Sequence, residues 1–289
     1  MWLLASGRPP GEDCPMASEI NPAELRAAAC DLARLGGRTA QELFGKVSMA
    51  RKADDTPVTQ ADHAVQEAIL AALASRYPLH GIVVEEQVAR PERHAPVAVS
   101  EYCWVVDPID GTRNFGRGSN VYSTSVAVLH MGCPLAGAIY DATSGQVFSA
   151  SRGGGAFRED QRLTVVDRPI DYNTILALSS IRRRLIAPAV RAWMRQSLYR
   201  NAGSLCLHLI WVAAGCVDAA YAVECKVWDV AAGALLIQEA GGVITSPTGQ
   251  PLWPIDLPAY RGQDIPILAG TPRMHAALLE SLRNGGSGE

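Results

Sequence analysis

Two aspartates three residues apart, Asp107 and Asp110, stand in the segment W-V-V-D-P-I-D-G-T-R-N-F (104–115). An apolar run precedes them, so Asp107 is predicted to lie where a buried strand ends and the chain turns. Pro108 favours an extended Asp107, and Gly111 permits a backbone conformation that other residues avoid. Two carboxylates held this close repel each other unless a cation lies between them. Mg²⁺ fits, because it takes oxygen ligands and leaves positions open for water and a substrate phosphate.

An ordinary turn is the alternative for the same segment, because Asp-Pro and Asp-Gly are common turn formers. Other acidic residues follow predicted strands or begin predicted helices, namely Asp62, Glu85 with Glu86, and Asp229. Each has a structural alternative as well: Asp62 and Asp229 could be helix N-caps, and the two glutamates a solvated loop edge. The single segments therefore leave structure and chemistry both open.

Composition limits the classes of protein that the chain can represent. It has 289 residues, of which 48% are hydrophobic, with a net charge of -3 and a pI near 6.1. These values predict a soluble globular chain of one large domain or two fused lobes, without the basic surface that a nucleic acid polymer needs. No apolar run reaches the roughly 18 to 20 residues of a membrane span, so no membrane partner is expected.

The cysteines favour a reducing, cytoplasmic location. There are seven of them, an odd number without C-x-x-C spacing, which argues against a disulfide framework and against a zinc knuckle. The N-terminal stretch lacks the basic region and apolar core of a signal peptide. We expect 1–18 to be a disordered extension, and Met16 is a plausible true start that would leave 1–15 untranslated.

Periodicity and punctuation predict alternating helices and strands in two lobes. In 19–170 we expect helices over 21–44 and from 59 or 62 to 76, strands at 81–84 and 104–106, and an antiparallel meander over 122–157. In 171–284 we expect helices over 187–198, 204–214, 229–240 and 272–283, with strands from 174 and over 217–223, 243–246 and 265–269. The end, 285–289, is predicted to be a flexible tail.

Four motifs together are similar to a known family. They are D-P-I-D-G-T-x-N-F at 107–115, W-D-V-A-A-G at 228–233, V-E-E at 84–86 and V-T-x-x-D at 58–62. The chain resembles the inositol monophosphatase family, in the superfamily of fructose bisphosphatases and 3'-phosphoadenosine phosphatases, over about 23–282. Val84 stands where that family usually has glycine. The resemblance implies a layered αβαβα sandwich, with the 19–170 lobe binding metal and the 171–284 lobe binding substrate.

The resemblance also implies a site with two or three Mg²⁺ ions. Glu85, Asp107 and the carbonyl of Ile109 would bind one ion, and Asp107, Asp110 and Asp229 a second. Thr112 and Asp62 would orient and help deprotonate the attacking water, with Glu86 as a supporting acid. The amides of Gly111 and Thr112 would face the substrate phosphate, because they begin a short helix.

Phosphate ester chemistry explains why such a site needs cations. A phosphate monoester is a dianion that water hydrolyses extremely slowly. Two cations roughly 3.5 to 4 Å apart neutralise it and hold the attacking and leaving oxygens in line. The sequence lacks the G-x-S-x-G, H-E-x-x-H and Walker motifs of competing chemistries.

The leaving group is less well defined by the sequence. In the resembling family a G-T-A-A turn and a glutamate hold the alcohol, whereas this chain has Gly203, Ser204, Leu205 and Cys206 at the turn and Ala222 at the glutamate position. Strand alternation would place Glu224 on the same face as Ala222, so that it could substitute. Lys52 could assist a phosphate or a water, the alternative being a surface lysine.

The expected activity is a phosphatase acting on a small phosphorylated metabolite, with inositol 1-phosphate as the first candidate. Parts of the sequence also resemble histidinol-phosphate phosphatases and 3'-phosphoadenosine phosphatases. A non-catalytic relative that uses the pocket for regulation or scaffolding is the alternative of a different class. The family resemblance further implies a homodimer and inhibition by lithium.

Overall fold

The computed structural model describes residue 14 and residues 20–51, 57–86, 96–97, 100–180 and 186–285. The helices in these ranges are α1 Pro22–Leu43, α2 Gln60–Arg76, α3 Thr112–Gly116, α4 Pro188–Gln196, α5 Leu205–Ala213, α6 Val227–Glu239 and α7 Pro272–Arg283. The strands are β1 Met49–Arg51, β2 Pro57–Thr59, β3 Gly81–Val84, β4 Tyr102–Asp110, β5 Ser123–His130, β6 Cys133–Asp141, β7 Gln146–Ser151, β8 Gly155–Arg158, β9 Gln161–Arg162, β10 Ile175–Leu178, β11 Leu198–Arg200, β12 Ala219–Ala222, β13 Val243–Thr245 and β14 Ile267–Gly270.

Two large sheets form the centre of the molecule. The first has seven strands in the order β3-β4-β5-β6-β7-β8-β9, and the second has five in the order β11-β10-β12-β14-β13. Helices α1 and α2 pack on the first sheet, α5 and α6 lie between the sheets, and α4 and α7 pack against the second. This succession of layers confirms the predicted αβαβα sandwich.

Both faces of the first sheet are buried, so its central strands read as continuous apolar runs rather than alternating ones. In β4, Trp104 and Val106 belong to the core beneath α1 and α2, whereas Cys103 and Val105 belong to the core around α5 and α6. This alternation determines which acids of β4 can reach α6.

Two helices begin with a side-chain cap followed by proline. The side chain of Asn21 accepts from the amide of Ala23 at 3.0 Å, and Pro22 occupies the first position of α1. In α7, Thr271 accepts from the amide of Met274, and Pro272 follows the cap. The two predicted helices that these residues begin are confirmed.

The structure differs from the expected elements in where two strands end, β4 and β12. The β4 strand does not end at Asp107 but continues through Pro108 to Asp110, because β5 pairs with it over that length. The β12 strand ends at Ala222, so strand alternation does not apply to Glu224, and that argument was wrong.

One disulfide contradicts the expectation drawn from the cysteine count. Cys14 is bonded to Cys133, with a Cα–Cα distance of 5.8 Å and 119 residues between them in sequence. Such a separation cannot be recognised from local spacing. Apart from Cys14, the predicted extension 1–18 lies outside the described residues, as does most of the predicted tail.

The helices of the described ranges include none with both the length and the apolarity that crossing a membrane requires.

We predict that His208 makes the fold sensitive to acid. Its ring is fully buried, Nε2 accepts from the amide of Ala202 at 2.8 Å, and burial lowers its pKa from 6.5 to about 4. The histidine is neutral in the folded and the unfolded protein when the pH is above its unfolded pKa. As the pH falls from there toward the pKa of the folded state, the unfolded protein takes up a proton more readily, so stability is lost. Urea unfolding should therefore show about 2 kcal/mol less stability at about pH 5 than at about pH 7.5 from this residue.

The His208→Gln variant isolates this contribution, because glutamine keeps an acceptor but does not titrate. Its free energy of unfolding should fall less between the two pH values than that of the unaltered protein. The exposed His63 gives the control, since His63→Gln should behave like the unaltered protein. Equal pH dependence in all three proteins would contradict the prediction.

Candidate active site

A bulge in β4 brings the two aspartates of the opening segment to one side of the sheet. Asp107 lies opposite Ser125 and Asp110 opposite Ser123, so three steps along β4 match two along β5. In a regular strand, residues three apart point to opposite faces. The extra residue reverses that alternation beyond Asp107, and Ile109 accordingly joins the core beneath α1 and α2.

Asp107 and Asp110 thereby both face α6, which carries Asp229 at its third position. The carboxyl groups of Asp107 and Asp229 are in hydrogen-bonding contact with each other. Burial raises the pKa of Asp107 well above its usual range, and the charges of Glu85, Asp110 and Asp229 raise it further. Burial also raises the pKa of Asp229, followed by the charge of Asp110. Two carboxyl groups in contact need a shared proton or a cation.

The donor set around Asp107 fits a hard divalent cation. Its Oδ1 atom is buried and has no hydrogen-bond partner among the described residues, which leaves a lone pair for a ligand. The surrounding donors are carboxylate and carbonyl oxygens, the ligands that Mg²⁺ prefers. Within the described ranges, no three acidic, histidine or cysteine side chains already surround one point as ligands would. The acids interact electrostatically across the same region but are not drawn to a common centre.

Asp110 is anchored by the second half of the chain. Its Oδ2 atom accepts from the hydroxyl of Ser204 at 2.6 Å and from the amide of Cys206 at 2.6 Å. The Ser204 hydroxyl also caps α5 by accepting from the amide of Leu207 at 3.2 Å. Ser204, expected at the substrate, is 2% exposed and is engaged in orienting Asp110.

Asp62, near the start of α2, is in hydrogen-bonding contact with Thr112, the first residue of α3. Asp62 is fully buried, and its Oδ2 atom accepts from the amide and the hydroxyl of Thr59, at 2.8 and 2.6 Å. The Thr112 hydroxyl lies 3.1 Å from Asp62 Oδ1 and 3.0 Å from the carbonyl oxygen of Ile109. Burial raises the pKa of Asp62, against the opposing effect of the hydrogen bonds from Thr59. The pair is thus placed beside a carbonyl expected to bind metal.

The turn into α3 depends on a glycine. Gly111 has φ 101° and ψ 32°, a left-handed conformation, and is the residue before Thr112. A Cβ atom at this position would lie 3.1 Å from the carbonyl oxygen of Val121. The same turn holds Asn114, whose Nδ2 donates to the carbonyls of Val121 at 2.7 Å and Ala202 at 2.6 Å.

The remaining predicted substrate residues are placed as follows. Gly203 has φ 73° and lies beside Asn114, while Leu205 is 7% exposed. Glu224 is exposed in the bend after β12. Lys52 lies outside the described residues. The part of these residues in binding a substrate therefore stays a prediction.

Several side chains near the acids had no role assigned from the sequence. Asn114 stood inside the D-P-I-D-G-T-x-N-F motif, which was the only available signal. Ser125 donates to the carbonyl of Trp228 at 3.2 Å and joins β5 to α6. Gln66, one turn after Asp62 in α2, contacts the backbone of Glu86. Each acts on backbone atoms distant in sequence, and a pattern search does not reveal such contacts.

The fold and site together define a layered α/β protein with an acidic, oxygen-rich centre between its two sheets. The sequence profile of the inositol monophosphatase family matches residues 21–287. The chain belongs to the inositol monophosphatase family.

Individual relatives carry two kinds of name. An "Inositol-1-monophosphatase" of Mesorhizobium japonicum is 31% identical over 260 residues, which cover 86% of this chain and 91% of the relative. A "Nus factor SuhB" of Pasteurella multocida is 35% identical over 199 residues, covering 67% and 73%. The crystal structure of extragenic suppressor protein suhB from Bartonella henselae superposes with a TM-score of 0.78 at 29% identity, covering 90% of this chain and 98% of that one.

We predict that Gly111→Ala destabilises the protein by about 1–3 kcal/mol, because alanine is strained at this φ and its Cβ meets the Val121 carbonyl. Gly118→Ala is the matched control: its φ is 76°, but a Cβ there meets nothing within 4 Å. Thermal unfolding of both variants separates backbone strain from steric contact. Equal losses in the two variants would show that the contact with Val121 has no effect.

Proposed function

We propose that the protein is a Mg²⁺-dependent phosphomonoesterase that acts on a small phosphorylated metabolite, with inositol 1-phosphate as the first candidate. The observation that carries the proposal is the carboxyl contact between Asp107 and Asp229, with the charges of Glu85 and Asp110 beside it. Buried carboxylates in such proximity destabilise a fold unless a cation or protons compensate them. Membership of the inositol monophosphatase family supports this choice of chemistry.

Glu85, Asp107, Asp110, Asp229 and the carbonyl of Ile109 would hold the metal ions, two or three in number. Bound Mg²⁺ would neutralise the phosphate dianion and lower the pKa of a water beside it. The chain's own contribution is to hold the four acidic side chains near one another and to present their oxygens in fixed directions. Asp110 and Asp229 each commit one oxygen to a backbone amide, which orients the other.

Asp62 and Thr112 would position the attacking water and accept its proton. The Thr112 hydroxyl has one proton and two acceptors within 3.1 Å, Asp62 Oδ1 and the Ile109 carbonyl, so it donates to one of them and keeps its lone pairs for a proton of the water. A carboxylate with a raised pKa is a stronger proton acceptor, and burial gives Asp62 that property. Glu86, which is 5% exposed, would support the pair as a nearby acid.

The leaving group would lie toward the loop at 201–205. Ala222, at the position where the resembling family has a glutamate, is fully buried and offers no acceptor. Without an acceptor for a sugar hydroxyl, the site loses on the order of 1–3 kcal/mol of binding free energy for a substrate with that hydroxyl. Histidinol phosphate and 3'-phosphoadenosine 5'-phosphate are therefore alternative substrates of the same site.

Two further properties belong to the same proposal by resemblance to the family. We propose a homodimer, and inhibition by lithium through the same carboxylate ligands. Sedimentation and inhibition of phosphate release by lithium chloride measure these two properties independently of substrate identity.

A binding role is the second candidate function. It is favoured by the relatives that carry the name "Nus factor SuhB", such as the one of Pasteurella multocida described above. Asp110→Ala distinguishes the two candidates in a protein that stays folded. An enzyme loses nearly all turnover on this change, whereas a binding protein retains its partner.

The substrate is tested by phosphate release from inositol 1-phosphate, histidinol phosphate, 3'-phosphoadenosine 5'-phosphate and fructose 1,6-bisphosphate, each with Mg²⁺ and with excess chelator. We expect inositol 1-phosphate to lead, and a tenfold lead corresponds to about 1.4 kcal/mol of transition-state preference. A different leading ester would replace the inositol assignment and leave the metal chemistry intact. Hydrolysis at full rate in chelator would refute the metal mechanism.

We predict that Thr112→Val lowers turnover by about 10² to 10⁴, because the hydroxyl between Asp62 and Ile109 is lost. Thr112→Ser keeps that hydroxyl and should remain within a few-fold of the unaltered protein. Steady-state kinetics on the leading substrate make the comparison, with melting temperatures to confirm that both variants fold. Equal activity of the valine and serine variants would remove Thr112 from the proposed machinery.

A further inference from the structure

Helix α2 presents two buried polar side chains on the same face, one turn apart. Asp62 is fully buried and Gln66 is 1% exposed. Residues four apart in a helix are neighbours on its surface. Asp62 faces Thr112, whereas Gln66 faces Glu86, which lies just after the end of β3.

The Gln66 amide makes two hydrogen bonds to one residue. Its Nε2 donates to the carbonyl of Glu86 at 3.2 Å, and its Oε1 accepts from the amide of Glu86 at 3.1 Å. A primary amide carries a donor and an acceptor side by side, so it can pair with the C=O and N–H of one residue, as a residue of a neighbouring strand would. Glutamine meets both requirements without adding a charge beside the acids.

The place of this contact in the sheet gives it significance. Among the residues that the structure describes, strand β3 is at the edge of the seven-stranded sheet and pairs with β4 on one side. Its regular pairing ends at Val84, after which the amide of Glu85 donates to the carbonyl of Val106 at 3.3 Å. The Gln66 amide therefore bonds to the backbone on the side away from β4. It does so just after the end of β3, where Glu85 and Glu86 approach Asp107.

We infer that Gln66 is a positioning residue. By bonding to the backbone N–H and C=O of Glu86, it fixes the position of the adjacent Glu85 carboxylate. The inference rests on the proposed function, because it concerns the divalent cation that Glu85 would bind. The hydrogen bonds between Glu86 and Gln66 and between Glu85 and Val106 fix the backbone from which the Glu85 side chain projects. Losing an outer residue that orients a metal ligand typically weakens metal affinity by 10–100-fold.

A purely structural role is the competing explanation, since Gln66 also satisfies two buried backbone groups. The two explanations differ in what they predict for folded protein. A structural role lowers the melting temperature of the metal-free protein and leaves the metal affinity of the folded state unchanged. A positioning role weakens the affinity at a temperature where the variant is fully folded.

The experiment measures Mn²⁺ binding to the full-length, metal-free protein by electron paramagnetic resonance, with melting curves of each variant. We expect Gln66→Met to weaken Mn²⁺ binding by about 10–100-fold. Gln66→Asn, one methylene shorter, should weaken it in the same direction and serves as the milder variant if methionine prevents folding. Gln60→Met makes the same chemical change at an exposed position of α2 and should bind as the unaltered protein does.

The outcomes separate this inference from the function on which it rests. Absence of Mn²⁺ binding by the unaltered protein would refute the proposed metal chemistry itself. Normal binding by the unaltered protein together with unchanged affinity in folded Gln66→Met and Gln66→Asn would overturn the positioning role alone. Weaker binding in both Gln66 variants, but not in Gln60→Met, supports it.

Discussion

Mutual repulsion among buried carboxylates is the constraint on which the site depends. Asp107 and Asp229 are in contact, and the charges of Glu85 and Asp110 add to the unfavourable field around them. In a flexible chain these groups would separate or take up protons. They stay together because β4, α6 and the end of β3 each belong to a packed layer. The energy of packing therefore maintains an arrangement that the acids alone would oppose.

Helix termini reduce that repulsion. Asp62 and Asp229 both occupy the third position of a helix, where each accepts a hydrogen bond from the amide of the capping residue, Thr59 or Lys226. A carboxylate there is also favoured by the helix dipole. The N-cap position considered for these aspartates was wrong, because Thr59 and Lys226 are the caps. A role at the helix end is nevertheless compatible with a role in the site, because one oxygen of each aspartate serves the helix end and the other remains for the site.

The sequence allowed much of the fold to be predicted, because helices with clear caps and apolar periodicity, such as α7, are determined locally. The bulge in β4 could not be predicted, since it exists only in the pairing of Asp107 and Asp110 with β5. The motifs located the acids but not the groups that orient them. Gln66 and Ser204 bond to residues 20 and 94 positions away, and neither contact produces a periodic pattern in the sequence.

Contacts across the two sheets make the site a property of the whole sandwich. Asp110, on the first sheet, is oriented by Ser204 and Cys206 at the start of α5, and Asn114 holds the carbonyl of Ala202. The loop at 201–205 is also where the leaving group is proposed to lie. A substitution that changes this loop for a different alcohol would therefore also disturb Asp110. Under the proposed function, substrate preference and metal geometry would be coupled through these hydrogen bonds, and this coupling would limit how far the loop can vary while the acids keep their positions.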